Sequence, residues 1–158
     1  MTLRALTEAD ARILSEATLL NLNWSEPRFS EDDVHSNPHF RHYTELVPAR
    51  GDFGYLLEDE TGWVSVVWLL FLDHQDPGYG YVDDGIPELS ICTTPMGRGQ
   101  GHGLHIMHRA IEEARTRRLG SISLSVEAGN PARRLYEQLG FQPVPDALNE
   151  GTMVLVID

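Results

Sequence analysis

The sequence predicts a mixed α/β (α+β) fold in a single domain over residues 1–158, with a central sheet of six to seven strands and about four helices. Two observations support this fold class. Segments whose apolar residues alternate, such as 121–127, are interleaved with segments of helical periodicity, such as 104–117. A glycine-rich turn at 98–103 joins a strand-like segment to a long helix-like one, which is where open α/β sheets commonly bind ligands.

Capping residues, prolines and glycines set the expected helix boundaries. Thr7 and Ser30 each precede acidic residues, so each is expected to cap a helix. Pro38 should interrupt or kink the second of these helices. Gly120 is expected to end the third in a left-handed conformation, and Asn130 to cap a fourth. The predicted helices cover 8–21, 31–46, 101–118 and 131–140, and the predicted strands cover 2–4, 54–58, 63–72, 88–94, 121–127, 141–144 and 152–157.

Two connections in this order of elements carry further expectations. The strands at 54–58 and 63–72 are close enough in sequence to form a hairpin. Strands 88–94 and 121–127 flank a helix, which predicts a right-handed β-α-β crossover. The segment 73–87 is rich in Gly, Asp and Pro, so we expect a flexible connection there.

The chain is strongly acidic, and its charge is unevenly distributed. It has 24 acidic and 12 basic residues, all of the latter arginine, for a net charge of −12. Seven arginines and three acidic residues fall within 98–134, so this segment carries +4 and the remainder −16. A phosphate-rich ligand would favour the first region and a cationic one the second. Nucleic acid is not expected to be a partner of so acidic a domain.

Composition also bears on the compartment and on other kinds of site. No apolar stretch is long enough to span a bilayer, and the N-terminal residues lack a secretory signal, so no membrane association is expected. The single cysteine, Cys92, excludes an intramolecular disulfide, which favours a cytoplasmic location. We expect no metal site: Pro38 breaks the spacing of His35, His39 and His42, while the histidines at 102, 105 and 108 drift around their helix.

The turn Arg98-Gly99-Gln100-Gly101-His102-Gly103 has the chemistry of a phosphate cradle. Its three glycines remove side chains that would keep an anion from the backbone, and the helix that follows offers free N–H groups and partial positive charge. It matches neither GxxxxGK[ST] nor GxGxxG, the two common nucleotide patterns. The turn therefore predicts binding of a phosphate-bearing ligand of another kind.

With these residues the chain resembles the GNAT superfamily of N-acetyltransferases. The turn fits the [QR]xxGx[GA] pattern of that family, and Pro95 stands three residues before its arginine, as is usual there. Downstream, the family's Asn-x-x-Ala-x-x-x-Tyr-x-x-x-Gly-Phe pattern, which varies slightly in length, is matched by the segment 130–141. The opening residues 3–10 are similar as well. The departures, Ser65 where Gly is frequent and Thr93 where Val is usual, are small.

The resemblance implies that acetyl-CoA is the co-substrate. The fourth and fifth strands would splay apart to admit the pantetheine arm, which would pair with the backbone of Ile91, Cys92 and Thr93 like an added strand. Asn130 would bond the arm. The residues expected to hold the coenzyme are Ile91, Cys92, Thr93, Arg98, Gly99, Gln100, Gly101, His102, Gly103, Asn130 and Arg133, with Arg98 and Arg133 meeting its phosphates.

The chemistry implied is direct transfer of the acetyl group to a primary amine. Tyr136 is expected to protonate the leaving thiolate, because the pKa of a phenol is near that of an alkyl thiol. Glu88 is expected to act as the general base, with Asp83, Asp84 and Glu127 as rivals. A backbone N–H near Cys92 would stabilise the oxyanion.

The acceptor itself is not fixed by the sequence. It would be a small-molecule or peptide amine, and the acidic N-terminal part hints at a cationic one. The segment 21–52 would shape its pocket, and Trp24, Phe53, Tyr79 and Tyr81 lie in loops that could wall it. A non-catalytic acyl-CoA-binding or regulatory module on the same fold remains an alternative, and a homodimer is left open.

Overall fold

The computed structural model describes residues 1–157 and contains one mixed seven-stranded sheet with helices on both faces. The strand order is β1-β2-β3-β4-β5-β7-β6. The strands are β1 (Thr2–Ala5), β2 (Phe53–Asp59), β3 (Gly62–Leu70), β4 (Glu88–Thr93), β5 (Ser121–Ser125), β6 (Gln142–Pro143) and β7 (Thr152–Val156). The helices are α1 (Ala11–Leu22), α2 (Glu31–Ser36), α3 (Pro38–Arg41), α4 (His102–Thr116) and α5 (Arg133–Gln138).

The sheet divides where β4 meets β5. The strands β1 to β4 pair in antiparallel order, and β5 pairs antiparallel with β7. Between β4 and β5 the pairing is parallel and consists of a single pair, Glu88 with Ser123. Both strands run onward from that pair without pairing further, so they separate toward their carboxyl ends. The predicted mixed sheet with splayed fourth and fifth strands is confirmed.

The two faces of the sheet carry separate apolar cores. On one face, Ile106, Met107 and Ala110 of α4 pack against the sheet, in the core that also contains Tyr136 of α5. On the other face, Leu14 and other residues of α1 lie in the core that contains Trp68 of β3. β4 contributes Leu89 to the first core and Cys92 to the second, and it therefore lies at the centre of the molecule.

Local signals account for most of the helix boundaries. Thr7 and Ser30 both form capping boxes, with Asp10 and Asp33 respectively. The proline at 38 splits the second predicted helix in two rather than kinking it. Because Asn37 before it is extended, α2 ends there, and the Asn37 side chain caps α3.

The end of α4 differs from the expectation. The left-handed residue is Arg118, with φ of 58°, and Gly120 has no positive φ. The amide of Leu119 donates to the carbonyl of Ala114 at 3.0 Å and so satisfies a carbonyl of the last helical turn. The left-handed residue therefore lies two positions earlier than predicted. The prediction that Gly120 forms the left-handed cap is wrong.

The connection 73–87 is anchored rather than loose. The Ser123 hydroxyl donates to the Gly80 carbonyl at 2.6 Å, and the Thr152 hydroxyl donates to the Tyr79 carbonyl at 3.1 Å. The amide of Tyr79 donates to the Tyr43 hydroxyl at 2.8 Å. These bonds hold the connection against β5, β7 and the segment after α3, so it forms a fixed wall near the point where β4 and β5 separate.

Candidate active site

A cavity of about 760 Å³ opens where β4 and β5 separate. Its lining includes Ile91, Cys92 and Thr93 of β4 and residues of α5. It also includes the carboxyl end of α1, the loop that follows it and Tyr79 of the connection 73–87. The cavity therefore joins the glycine-rich turn to the segment between α1 and β2.

The glycine-rich turn presents free backbone at the start of α4. Gly101 caps the helix with φ of 80°, and no side chain caps the first-turn amides. A Cβ placed on Gly99 or Gly101 would meet no atom within 4 Å, so the space outside these positions is open. Both have positive φ, which a larger residue would adopt only with strain. The geometry fits a diphosphate held by amides at the amino end of a helix.

Several residues predicted to hold the coenzyme line the cavity. They are Ile91, Cys92, Thr93, Arg98, Gly103 and Asn130. The side-chain oxygen of Asn130 accepts from the Ala132 amide at 3.0 Å, which leaves its NH₂ group free to donate. This bond forms a turn, and α5 begins only at Arg133, two residues later than predicted.

The remaining predicted coenzyme residues lie beside the cavity rather than in its wall. Gly99, Gln100, Gly101 and His102 form the turn, and the Gln100 amide donates to the Met96 carbonyl at 3.4 Å. The His102 side chain is half-buried, and its buried Nε2 has no partner among residues 1–157. Arg133 faces Glu137 at 3.7 Å.

Tyr136 lies in the cavity wall with Cys92. Its ring is 8% exposed and packs edge-on against Phe141, with centroids 6.0 Å apart. Burial, with a smaller contribution from Cys92, raises the pKa of Tyr136 to about 12, and burial raises the pKa of Cys92 to about 12. Both groups are therefore neutral at physiological pH. A neutral phenol can donate a proton, whereas a neutral buried thiol is a poor nucleophile.

Glu88 is a buried carboxyl at the point where β4 and β5 separate. Tyr43 donates to its Oε2 at 2.7 Å, and its Oε1 has no partner among the described residues. Burial raises the pKa of Glu88 to about 7, although the bond from Tyr43 and the nearby Gly80 amide oppose the shift. Gly78 makes room for this carboxyl, since a Cβ there would overlap Oε1. A carboxyl with a pKa near 7 suits a general base.

The rival bases are placed less well. Glu127 lines the cavity, but it is paired with Arg28 at 2.8 Å, and that bond is the main reason its pKa is lowered. Asp84 is exposed, bonds His74 and Tyr81, and lies outside the cavity lining. Asp83 also lies outside it. Among the predicted candidates, Glu88 alone is buried in the cavity wall.

The part of the cavity wall formed by 21–52, β3 and the connection 73–87 is rich in aromatic residues. It is called the acceptor end below, because the sequence predicts that the acceptor binds there. Of the four aromatics expected there, Trp24 and Tyr79 line it, whereas Phe53 and Tyr81 do not. Phe53 belongs to the core beneath Arg117, and Tyr81 turns its hydroxyl to Asp84. The sequence predicts that 21–52 shapes this end, but no local pattern singles out the aromatics that do so. These are Phe29, Phe40 and Tyr43, together with Trp68 from β3.

The described part of the chain holds neither a metal-binding cluster nor a membrane-spanning helix. Residues 1–157 contain no group of three or more His, Cys, Asp or Glu side chains placed to hold a metal ion. None of the helices in that range combines the length and apolarity needed to cross a bilayer.

Comparison with solved structures finds the same fold over the whole chain. A GNAT-family acetyltransferase from Staphylococcus aureus Mu50 matches with a TM-score of 0.70 at 12% identity, covering 99% of this chain and 100% of that one. An acetyltransferase from Clostridium acetobutylicum, solved with acetyl-CoA, matches at 0.69 and 20% identity, with 94% of each chain covered. The spermidine N-acetyltransferase of Vibrio cholerae, solved with CoA and spermine, matches at 0.62 and 22% identity, covering 99% of this chain and 95% of that one.

Sequence comparison gives the family directly. No curated protein sequence matches the chain. The model of the acetyltransferase (GNAT) family matches residues 17–141, which include the glycine-rich turn, β4 and all of α5. The chain therefore belongs to the acetyltransferase (GNAT) family, whose enzymes use acetyl-CoA as co-substrate.

Proposed function

We propose that this protein is an acetyl-CoA-dependent N-acetyltransferase that transfers the acetyl group directly to a primary amine. The observation that carries the proposal is a single cavity lined by two groups that can exchange protons, the carboxyl of Glu88 with a pKa of about 7 and the neutral phenol of Tyr136. The same cavity reaches the open amides of the glycine-rich turn. Family membership and neighbours solved with acetyl-CoA support the co-substrate.

The coenzyme would be held by backbone and a few side chains. The amides of 99–103 would bind the diphosphate, and Arg98 would add a charged contact. The pantetheine arm would lie in the gap between β4 and β5, where the residues beyond Glu88 have no partner in β5. It would find peptide groups of Ile91 to Thr93 on one side and the free NH₂ of Asn130 on the other. Bound acetyl-CoA supplies an activated acyl group and a thiolate leaving group.

The proton balance assigns a role to each carrier. An acceptor ammonium must lose one proton before its nitrogen can form the C–N bond, and Glu88, ionised in half of the molecules near pH 7, takes that proton. When the C–S bond breaks, the sulfur leaves with the electron pair, and Tyr136 protonates it. The nitrogen loses its second proton as the amide forms. One proton restores Tyr136, and the other passes to solvent.

The experiment that tests the proposal is release of free thiol from acetyl-CoA in the presence of a panel of primary amines. We expect amine-dependent release with the whole chain, and a Tyr136→Phe variant should lower kcat roughly 10-fold or more with little change in affinity for the coenzyme. The matched control is Tyr81→Phe, which removes a hydroxyl outside the cavity and should leave kcat unchanged.

The alternative, a non-catalytic acyl-CoA-binding module, makes a different prediction. It would bind acetyl-CoA in calorimetry yet release no thiol with any amine. Unchanged turnover of Tyr136→Phe would remove that residue from the mechanism while leaving the transferase activity itself in place.

A further inference from the structure

The acceptor end of the cavity differs in chemistry from the part of the wall formed by Ile91 to Thr93 and α5. Six aromatic side chains contribute to its wall, from the loop after α1, from α3 and its flank, from β3 and from the connection 73–87. They are Trp24, Phe29, Phe40, Tyr43, Trp68 and Tyr79. Phe29 and Phe40 pack edge to face with centroids 4.9 Å apart, so the buried Phe40 supports the half-buried ring of Phe29 in the wall.

The charges at this end are arranged to receive one cation. Glu88 is buried deep in the wall with one oxygen unpartnered among residues 1–157. Two other carboxylates line the cavity, and one of them, Glu127, already has the guanidinium of Arg28 at 2.8 Å. Arg28 is itself held in place by hydrogen bonds to the Leu22 carbonyl. The third carboxylate, Glu150, is exposed, so solvent weakens its attraction for a cation.

A polyamine would meet these charges poorly. With its first ammonium at Glu88, its next one would have the paired Glu127, the exposed Glu150 and the faces of aromatic rings as partners. These attract a cation less than a buried, unpaired carboxylate does. Burying an unpaired ammonium is costly. An apolar tail in the same position would instead replace water on aromatic surface, which is favourable.

We propose that the acceptor is a primary monoamine with an apolar or aromatic tail, with its nitrogen at Glu88 and its tail against the wall formed by Phe29 and Phe40. This inference rests on the proposed acetyltransferase function and narrows its substrate class. Phe29 and Phe40 are then specificity-determining residues, and the Arg28–Glu127 pair excludes a second positive charge.

The test compares amines that differ in one feature, using the whole protein and thiol release from acetyl-CoA. n-Pentylamine and cadaverine have the same five-carbon chain and differ by a terminal ammonium. We expect kcat/KM to be at least 10-fold higher for n-pentylamine, and phenethylamine to be used as well as n-pentylamine or better. Cadaverine or spermidine used better than both monoamines would overturn the inference, whereas no release with any amine would instead contradict the proposed function.

Two variants probe the wall and the ion pair separately. Phe29→Leu should lower kcat/KM for phenethylamine about 5-fold and for ethylamine less than 2-fold, because only the former reaches the ring. Its control is Phe71→Leu, a half-buried ring that packs near Gly51 outside the cavity. Arg28→Gln frees Glu127, so the ratio of kcat/KM for cadaverine to that for n-pentylamine should rise at least 3-fold. Equal losses for both aromatic and small amines in Phe29→Leu, or an unchanged ratio in Arg28→Gln with a normal melting temperature, would refute these assignments.

Discussion

The hydrogen bond from Tyr43 to Glu88 makes the activity of Tyr43→Phe depend on pH in a particular direction. The bond is 2.7 Å long and stabilises the carboxylate, so it opposes the larger effect of burial, and the pKa of Glu88 is about 7 with both acting. Removing the hydroxyl leaves the burial in place and takes the bond away. The pKa of Glu88 must therefore rise in the variant, and the acid limb of the activity profile must move to higher pH.

The size of the shift follows from the strength of such a bond. A hydrogen bond to a charged group contributes about 1.5 kcal/mol or more, and one pKa unit corresponds to about 1.4 kcal/mol, so a shift of about one unit is expected. At pH 7 the ionised fraction of Glu88 would fall from roughly one half to roughly one tenth. The kcat/KM should then drop about 5-fold at pH 7 but less than 2-fold at pH 9.5.

The assay is kcat/KM for one amine, measured from pH 5.5 to 9.5 in the variant and the wild type. Taking the ratio of the two at each pH cancels the titration of the amine itself. The Tyr43 hydroxyl also accepts a hydrogen bond from the Tyr79 amide, which the variant loses as well. A purely structural effect of that loss would lower kcat/KM by the same factor at every pH. A uniform loss, or a shift to lower pH, would refute the assignment of Glu88 as a base whose pKa Tyr43 adjusts.

Two further predictions concern stability and the coenzyme. Because the folded state raises the pKa of Glu88 from 4.5 to about 7, the folded chain holds this proton more tightly, and the free energy of unfolding should fall as pH rises from about 4.5 to 7. Glu88→Gln has no carboxyl to ionise, so this loss of stability should be absent from the variant. Measured by urea titration, its free energy of unfolding relative to the wild type should be about 3 kcal/mol greater at pH 8 than at pH 4. A difference that is the same at both pH values would contradict the ionisation of a buried carboxyl. Gly101→Val should abolish acetyl-CoA binding in calorimetry while the chain stays folded, and Gly62→Val, which also has positive φ and open space around it, is the control for backbone strain. Retained binding by Gly101→Val would exclude the turn as the diphosphate site.

Features encoded by residues close together in sequence could be predicted. The capping boxes at Thr7 and Ser30 span only four residues each, and the structure has both. The glycine-rich turn and the strand before it are likewise contiguous. The end of α4 departs from the prediction because a glycine is the usual left-handed residue, while here Arg118 adopts that conformation two positions earlier.

Features that depend on contacts between distant segments could not be predicted. Tyr43 and Glu88 are 45 residues apart, and no local pattern connects a tyrosine after a short helix to a carboxyl at the start of a strand. The same limit explains the aromatic wall. Tyr81 and Tyr79 are two residues apart in one connection, yet the hydroxyl of Tyr81 bonds the neighbouring Asp84 and only Tyr79 lines the cavity.

The position of Glu88 in the sheet explains its raised pKa. Glu88 is the only residue of β4 paired with β5, so it marks the place where the sheet closes and the cavity begins. A carboxyl there is surrounded by both strands and by the anchored connection at 78–80 and is only 5% exposed, and this loss of hydration raises its pKa. The parting of two parallel strands would therefore both admit the thioester of acetyl-CoA and place the proposed base, Glu88, at the point where the strands separate.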